Sequence, residues 1–274
     1  MDRYGIDAAV VSMGGALQAR DPDSARTGNL ELAELIRARP ARFGALAIIP
    51  FDAADPAMAA REAEYALDTL ALDGVALFSN HHGSYLGEPV FDELMSVLDS
   101  RSAYAFVHPA SPPRERILER YPDWLFEYPF DTTRAITSLI YSGTLDRYPQ
   151  ISFQFAHLGG AAMFLAHRLG SLAVREPERA AATSVSATAH LARQYFDTGL
   201  SNNLAALDCA RTVAGLSRLV YGSDWPYLAQ PPGDDPTEDL DRLAPEQRAM
   251  IDWQNAAALV PRLIPAGSAS TLST

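Results

Sequence analysis

The chain has 274 residues, enough for one large α/β barrel or two smaller domains, and 48% of them are apolar, an ordinary fraction for a protein with a sizeable core. Its 34 acidic residues outnumber 22 basic ones, for a formal charge of −12, which argues against nucleic acid and anionic membranes as partners, since both need basic patches. All basic residues are Arg, so Lys Schiff-base and P-loop Lys chemistry are excluded, and the single Cys209 allows neither an internal disulfide nor a thiolate metal cluster.

Strand and helix signals alternate from the start. Ile6 to Met13 is a short apolar run of strand type. Asn29 to Arg39 reads as a helix capped by Asn29, with Leu30, Leu32, Leu35 and Ile36 apolar. Phe43 to Ile49 is a strand stopped by Pro50, and Asp55-Pro56 is a cap-plus-proline start for a helix carrying Met58, Ala63, Ala66, Leu67 and Leu70. Gly74 to Phe78 is a strand, and Glu88-Pro89 opens a helix through Leu98. After a strand ending at His108 comes a loop with Pro112, Pro113, Pro122 and Pro129. Thr132 or Thr133 then caps a helix that ends near Gly143. A strand to His157, a helix from Gly160 to about Ala173, a polar mobile loop from Arg175 to Ser186 and a strand from Gln194 to Leu200 follow. Asn203 to Val213 is a helix, Leu219 to Ser223 the last strand, and Gln230 to Pro236 a loop. Pro245 to Trp253 and Asn255 to Leu263 are helical, which makes residues 1–265 a single barrel-type domain and 266–274 a flexible tail.

This alternation means βα units and a parallel sheet or barrel. Gly14-Gly15 alone is too weak for a dinucleotide fingerprint, and no Walker motif exists without Lys, so a barrel is preferred. No apolar run approaches the roughly 20 residues of a membrane span, and Met1-Asp2-Arg3-Tyr4 lacks the shape of a signal peptide. A cytoplasmic protein is expected.

Three strand-like runs end on residues suited to metal chemistry: Tyr104 to His108-Pro109, Ile151 to His157-Leu158-Gly159-Gly160, and Leu219 to Asp224-Trp225-Pro226. Parallel-strand enzymes place their chemistry at C-terminal strand ends. Imidazole and carboxylate are ligand types for divalent ions. Each candidate also has a plain structural reading. His108 and His157 fit as hydrogen-bonded strand-end residues, Asp224 as the cap of a turn, and Arg168 as a surface side chain. Asp197 either orients a neighbour or lines the pocket. Trp225, Phe130 and Tyr85 pack against a substrate or against the core. His167 and His190 read as helix-surface residues, Cys209 as a buried thiol, and His81 and His82 as loop histidines of which at most one faces the site.

Taken together, the motifs Arg39 to Ala47, Leu72 to Leu77, Phe106-Val107-His108-Pro109, Leu139 to Pro149, Ala156-His157-Leu158-Gly159-Gly160 and Tyr221 to Pro226 resemble the metal-dependent amidohydrolase superfamily. The branch is that of aminocarboxymuconate-semialdehyde decarboxylase and the 6-methylsalicylate decarboxylase-like proteins. The resemblance implies a (β/α)8 TIM-barrel-like fold and one divalent metal ion, zinc first and manganese second, held by His108 and Asp224. It implies proton transfer by His157 and Asp224, and a substrate contact from Arg168 across a homodimer interface; Trp225 is a further candidate for substrate contact from its place beside Asp224. The implied activity is decarboxylation of an aromatic or dienoic carboxylic acid. Hydrolysis of a lactone or amide at the same site is the alternative, and an impaired remnant a third. The family opens with a His-x-His strand, whereas here no His precedes His81. The first barrel strand is therefore expected to be missing from this chain, through a start set downstream of the true one or through real loss.

Overall fold

The computed structural model describes residues 1–13, 21–113, 118, 120–226 and 240–264. Gly14-Gly15, the 230–236 loop and the 266–274 tail lie outside the described residues. In chain order the strands are β1 (Ala9–Val11), β2 (Phe43–Ile48), β3 (Gly74–Phe78), β4 (Asn80–His81), β5 (Ser84–Tyr85), β6 (Tyr104–His108), β7 (Ser152–Phe155), β8 (Tyr195–Asp197) and β9 (Leu219–Val220). The helices are α1 (Pro22–Ala38), α2 (Ala57–Glu64), α3 (Asp92–Ser100), α4 (Asp123–Tyr141), α5 (Thr144–Arg147), α6 (Ala162–Gly170), α7 (Leu172–Arg175), α8 (Ala187–Leu191), α9 (Leu204–Val213) and α10 (Pro245–Ala249). No described helix is long and apolar enough to cross a membrane.

Seven strands form one parallel sheet in the order β1-β2-β3-β6-β7-β8-β9, and β4 and β5 make a separate hairpin. The period of two sorts side chains onto two faces. Ala45, Ala47, Val75, Leu77, Val107, Phe153, Phe155 and Phe196 pack outward under the helices. Leu46, Ile48, Ala76, Phe78, Tyr104, Tyr195 and Val220 meet on the inner face, together with Leu259 and Val260. Residues of β2 and β9 share that inner cluster, so the sheet curls in the manner of a TIM barrel. Burial on both faces explains why β3 reads as an unbroken apolar run. Among the described residues β1 pairs only with β2 and β9 only with β8, which leaves a seam between them. Val10, on the inner face of β1, is 37% exposed there.

The alternation was read correctly from the sequence, and the errors fall at helix starts, in the 175–186 segment and at His190. α1 begins at Pro22, because Asp21 accepts from the backbone N–H groups of Asp23 and Ser24 at 3.2 and 3.0 Å. Asn29 is no cap. It lies mid-helix and fully buried, and its amide donates to Ile48 O at 2.9 Å and to Glu62 Oε1 at 2.8 Å, while its Oδ1 accepts from Ile48 N at 2.7 Å. It thereby stands in for a strand partner beyond the end of β1. Asp55 pairs with Arg61 at 2.7 Å instead of capping α2. Pro129 lies inside α4, which starts at Asp123. Thr133 is an interior residue whose hydroxyl donates to Pro129 O and accepts from Ala161 N, at 2.8 and 2.9 Å. The 175–186 segment contains a 3-10 turn, Pro177–Ala180. His190 is buried rather than on the surface, with Nε2 near Thr183 Oγ1 at 2.8 Å and Asp146 Oδ2 at 3.2 Å. Tertiary partners decided the places of Asn29, Thr133 and His190, while the start of α1 follows from the local Asp21 cap.

Asn29→Ala removes both hydrogen bonds to Ile48 and one partner of the buried Glu62. Urea denaturation should show a loss of about 2–4 kcal/mol, with the fold retained.

Candidate metal centre

β6 directs Tyr104, Phe106 and His108 to the inner face, and pairs Phe78 with His108 across the ladder. The His108 Nδ1 lies 2.8 Å from Pro109 O. A carbonyl only accepts, so Nδ1 carries the proton and Nε2 keeps a free lone pair. β7 ends at Phe155, and His157 follows in a left-handed turn: His157, Leu158, Gly159 and Gly160 have φ of 56°, 51°, 72° and 64°. Gly160 is required here, since a Cβ at this position would lie 1.9 Å from Pro129 O. Asp224, four residues past β9, also has a left-handed backbone, φ 51°. Such strain in non-glycine residues costs on the order of 1–3 kcal/mol each and gathers at functional sites.

These turns bring together three side chains separated in sequence. Donor atoms of His108, His157 and Asp224 all lie within 4.8 Å of one another, and among the described residues no other set of three such groups converges. The His108 and His157 rings are 5.7 Å apart, and His157 Nε2 is 3.8 Å from Asp224 Oδ1. Burial pushes the His108 pKa down, and the nearby His157 adds to this against the pull of Pro109 O, Asp224 and Asp197. Burial also works against charge on His157, but the Asp224 contact and the Asp197 carboxylate outweigh it and raise its pKa.

The donor set fits a divalent ion. His108 Nε2 and the Asp224 carboxylate are both ligand types for a divalent ion, and the His157 imidazole stands beside them. The Pro109 carbonyl supplies the outer hydrogen bond that orients a ligating imidazole.

Trp225, beside Asp224, is 79% exposed, and Arg168 is exposed on α6, so neither joins the cluster. Asp197 sits behind it, buried, and accepts from His157 N at 3.1 Å. Tyr85 donates to buried Asp131 at 2.5 Å, and Phe130 is 45% exposed. His81 is buried with Nε2 accepting from Phe78 N at 3.1 Å, so that lone pair is spent on backbone. Two neighbours escaped the sequence reading. Tyr128 of α4 packs edge-on to His108 at 6.2 Å, hidden by the misplaced start of that helix. Phe106, also 6.2 Å from the His108 ring, follows from strand alternation, a signal that was there to use.

A curled parallel sheet with imidazole and carboxylate groups at its C-terminal rim is the architecture of barrel enzymes that work through a divalent cation. The amidohydrolase family model matches residues 2–262, and the chain belongs to that family. A 6-methylsalicylic acid decarboxylase of Penicillium expansum is 32% identical over 245 residues, covering 87% of this chain and 75% of the relative. The crystal structure of a 5-carboxyvanillate decarboxylase from Sphingomonas paucimobilis superposes with TM-score 0.82 at 26% identity, covering 95% of this chain and 81% of that one. A 5-carboxyvanillate decarboxylase from Novosphingobium aromaticivorans, crystallised with manganese and a nitrobenzoic acid, shares the fold with TM-score 0.84 at 22% identity, over 95% of this chain and 78% of that one.

Burial lowers the His81 pKa from 6.5 to about 3, with the neighbouring His82 adding to the effect. As pH falls below about 6.5 the unfolded chain takes up a proton that the folded one refuses. The stability His81 contributes is therefore complete above about pH 6.5 and is lost progressively towards pH 3, at up to about 1.4 kcal/mol per unit. His81→Gln keeps an acceptor for Phe78 N and removes the titration, so urea midpoints measured from pH 7 to pH 4 should fall less steeply than in the wild type.

Proposed function

We propose that this protein is a metal-dependent, non-oxidative decarboxylase of an aromatic or dienoic carboxylic acid. The carrying observation is the convergence of His108, His157 and Asp224 at the strand ends of an amidohydrolase-family sheet. The decarboxylase activity of the Penicillium relative supports the reaction class. Bound at His108 and Asp224, zinc, or manganese as in the Novosphingobium complex, would supply a Lewis acid that fixes the substrate carboxylate.

The side chains do the rest. His157 Nε2, facing Asp224 Oδ1, delivers a proton to the ring carbon that bears the carboxylate. The bond from that carbon to the carboxylate then breaks, its electron pair returns to the ring, and carbon dioxide leaves. Phe78, Phe106 and Tyr128 surround His108 with aromatic surface that suits a flat substrate. Trp225, the residue after Asp224, is exposed and is assigned to substrate contact. Arg168 makes no ion pair among the described residues, and Phe164 on the same helix is 83% exposed. We assign this face to a homodimer in which Arg168 meets the substrate carboxylate of the partner subunit.

Assays with 6-methylsalicylate and 5-carboxyvanillate should release carbon dioxide and stop on chelation, whereas a ring-opened or cleaved product would favour hydrolysis. His157→Ala should lower kcat by about 10²–10⁴-fold with metal still bound on elemental analysis. Asp224→Ala should weaken metal retention by at least about tenfold, and full activity in that variant would remove the site assignment. Light scattering should give twice the chain mass, and Phe164→Asp should shift the population towards monomer.

A further inference from the structure

Asp197 is a buried carboxylate at the end of β8 whose charge has no ion-pair partner among the described residues. Its oxygens instead accept from three neutral donors: Gln154 Nε2 at 2.9 Å, His157 N at 3.1 Å and Gly199 N at 3.0 Å. Gln154 is itself oriented, because Tyr104 OH donates to its Oε1 at 2.8 Å and leaves its amide nitrogen aimed at Asp197. The carboxylate is also wedged in place. A Cβ on Gly222 would lie 2.9 Å from Asp197, and one on Gly199 3.0 Å from its Oδ1. A chain of hydrogen bonds thus runs inside the sheet from Tyr104 through Gln154 and Asp197 to the backbone of His157, where the turn is left-handed.

From this geometry we infer that Asp197 is a positioning residue for His157, clamping the strained turn so that the imidazole faces Asp224. The clamp is a matter of acceptor geometry and not of where the negative charge sits. The inference rests on the reading of His157 as the proton-transfer residue. Without the clamp, His157 N and Gly199 N lose their buried acceptor and the turn relaxes. The imidazole then leaves its place 3.8 Å from Asp224 Oδ1.

The test compares Asp197→Ala with the double variant Asp197→Asn plus Gln154→Glu, using the release of carbon dioxide from 6-methylsalicylate and from 5-carboxyvanillate. In the double variant the new amide at 197 still offers an oxygen to His157 N and Gly199 N. Its nitrogen donates to the new carboxylate at 154, which also accepts from Tyr104 OH. Every hydrogen bond survives while the charge moves one link along the hydrogen-bond series, from 197 to 154. Asp197→Ala should lower kcat by about 100-fold with KM within about threefold, and the double variant should keep kcat within about threefold of wild type. Unchanged kcat in Asp197→Ala overturns the inference. So does a folded double variant as inactive as Asp197→Ala, which would make the charge at 197 the requirement, or a loss confined to KM or to thermal stability. If Asp197→Ala does not fold, the double variant alone decides. His157→Ala run alongside separates the two readings: full activity there removes the role of His157, as does a wild type inactive on both acids, whereas an inactive His157→Ala beside an active Asp197→Ala removes only the clamp.

Discussion

Parallel pairing puts the C-terminal ends of all seven strands of the main sheet on one side, and the candidate chemistry depends on that constraint. Register does the finer work. Phe78 stands opposite His108, Val107 opposite Phe155, and Asp197 opposite Val220, so the residues just past β7 and β9 emerge at the same height as the end of β6. A slip of one residue in any of these ladders would turn His108 or Asp197 away from the inner face.

Height alone does not aim a side chain. His157 and Asp224 both reach the cluster through left-handed backbone, which an L-residue adopts only when its surroundings hold it there. For His157 the restraints are visible on both sides of the turn. Asp197 accepts its N–H, and Gly160 lets the chain press against Pro129 O on α4. The Thr133 hydroxyl bridges the same helix to Ala161 N. The proline inside α4 therefore belongs to the contact that seats the turn. On the other side of His108, Ser79 N donates to His108 O at 2.8 Å, and Ala110 N donates to Ser79 Oγ at 2.8 Å. The Ser79 hydroxyl in turn donates to buried Asp131, which also takes Asn80 Nδ2 at 2.8 Å.

The buried histidines differ because their neighbours differ. His81, walled by Phe51, Phe78 and Phe91, meets no carboxylate among the described residues and is held neutral by burial. His157 is nearly as buried, but two carboxylates face it and the balance tips towards the charged form. His108 is lowered, by burial first, with its Nδ1 committed to Pro109 O. One residue type thus gives a structural acceptor, a group with raised proton affinity and an imidazole with a free Nε2, all within the same rim of the sheet.

Alternating strand and helix signals, the Pro and Gly breaks and the three strand endings are local in the chain, and the sequence by itself determined them. They were enough for the βα architecture and for His108, His157 and Asp224 as candidates, because propensity and hydrophobic period act over a few residues. The start of α1 at Asp21-Pro22 is set by a local cap, whereas the start of α4 at Asp123, the burial of Asn29 and His190, and the place of Tyr128 beside His108 were decided by tertiary contact. Each of the latter depends on a partner many residues away: Ile48 for Asn29, Asp146 for His190, the end of β6 for α4. The same holds for Asp197, which the sequence marks as a strand-end acid that orients a neighbour or lines the pocket, without deciding between the two. Its three donors come from Gln154, His157 and Gly199, two of them about 40 residues away, and only the packing of the curled sheet brings them to one carboxylate.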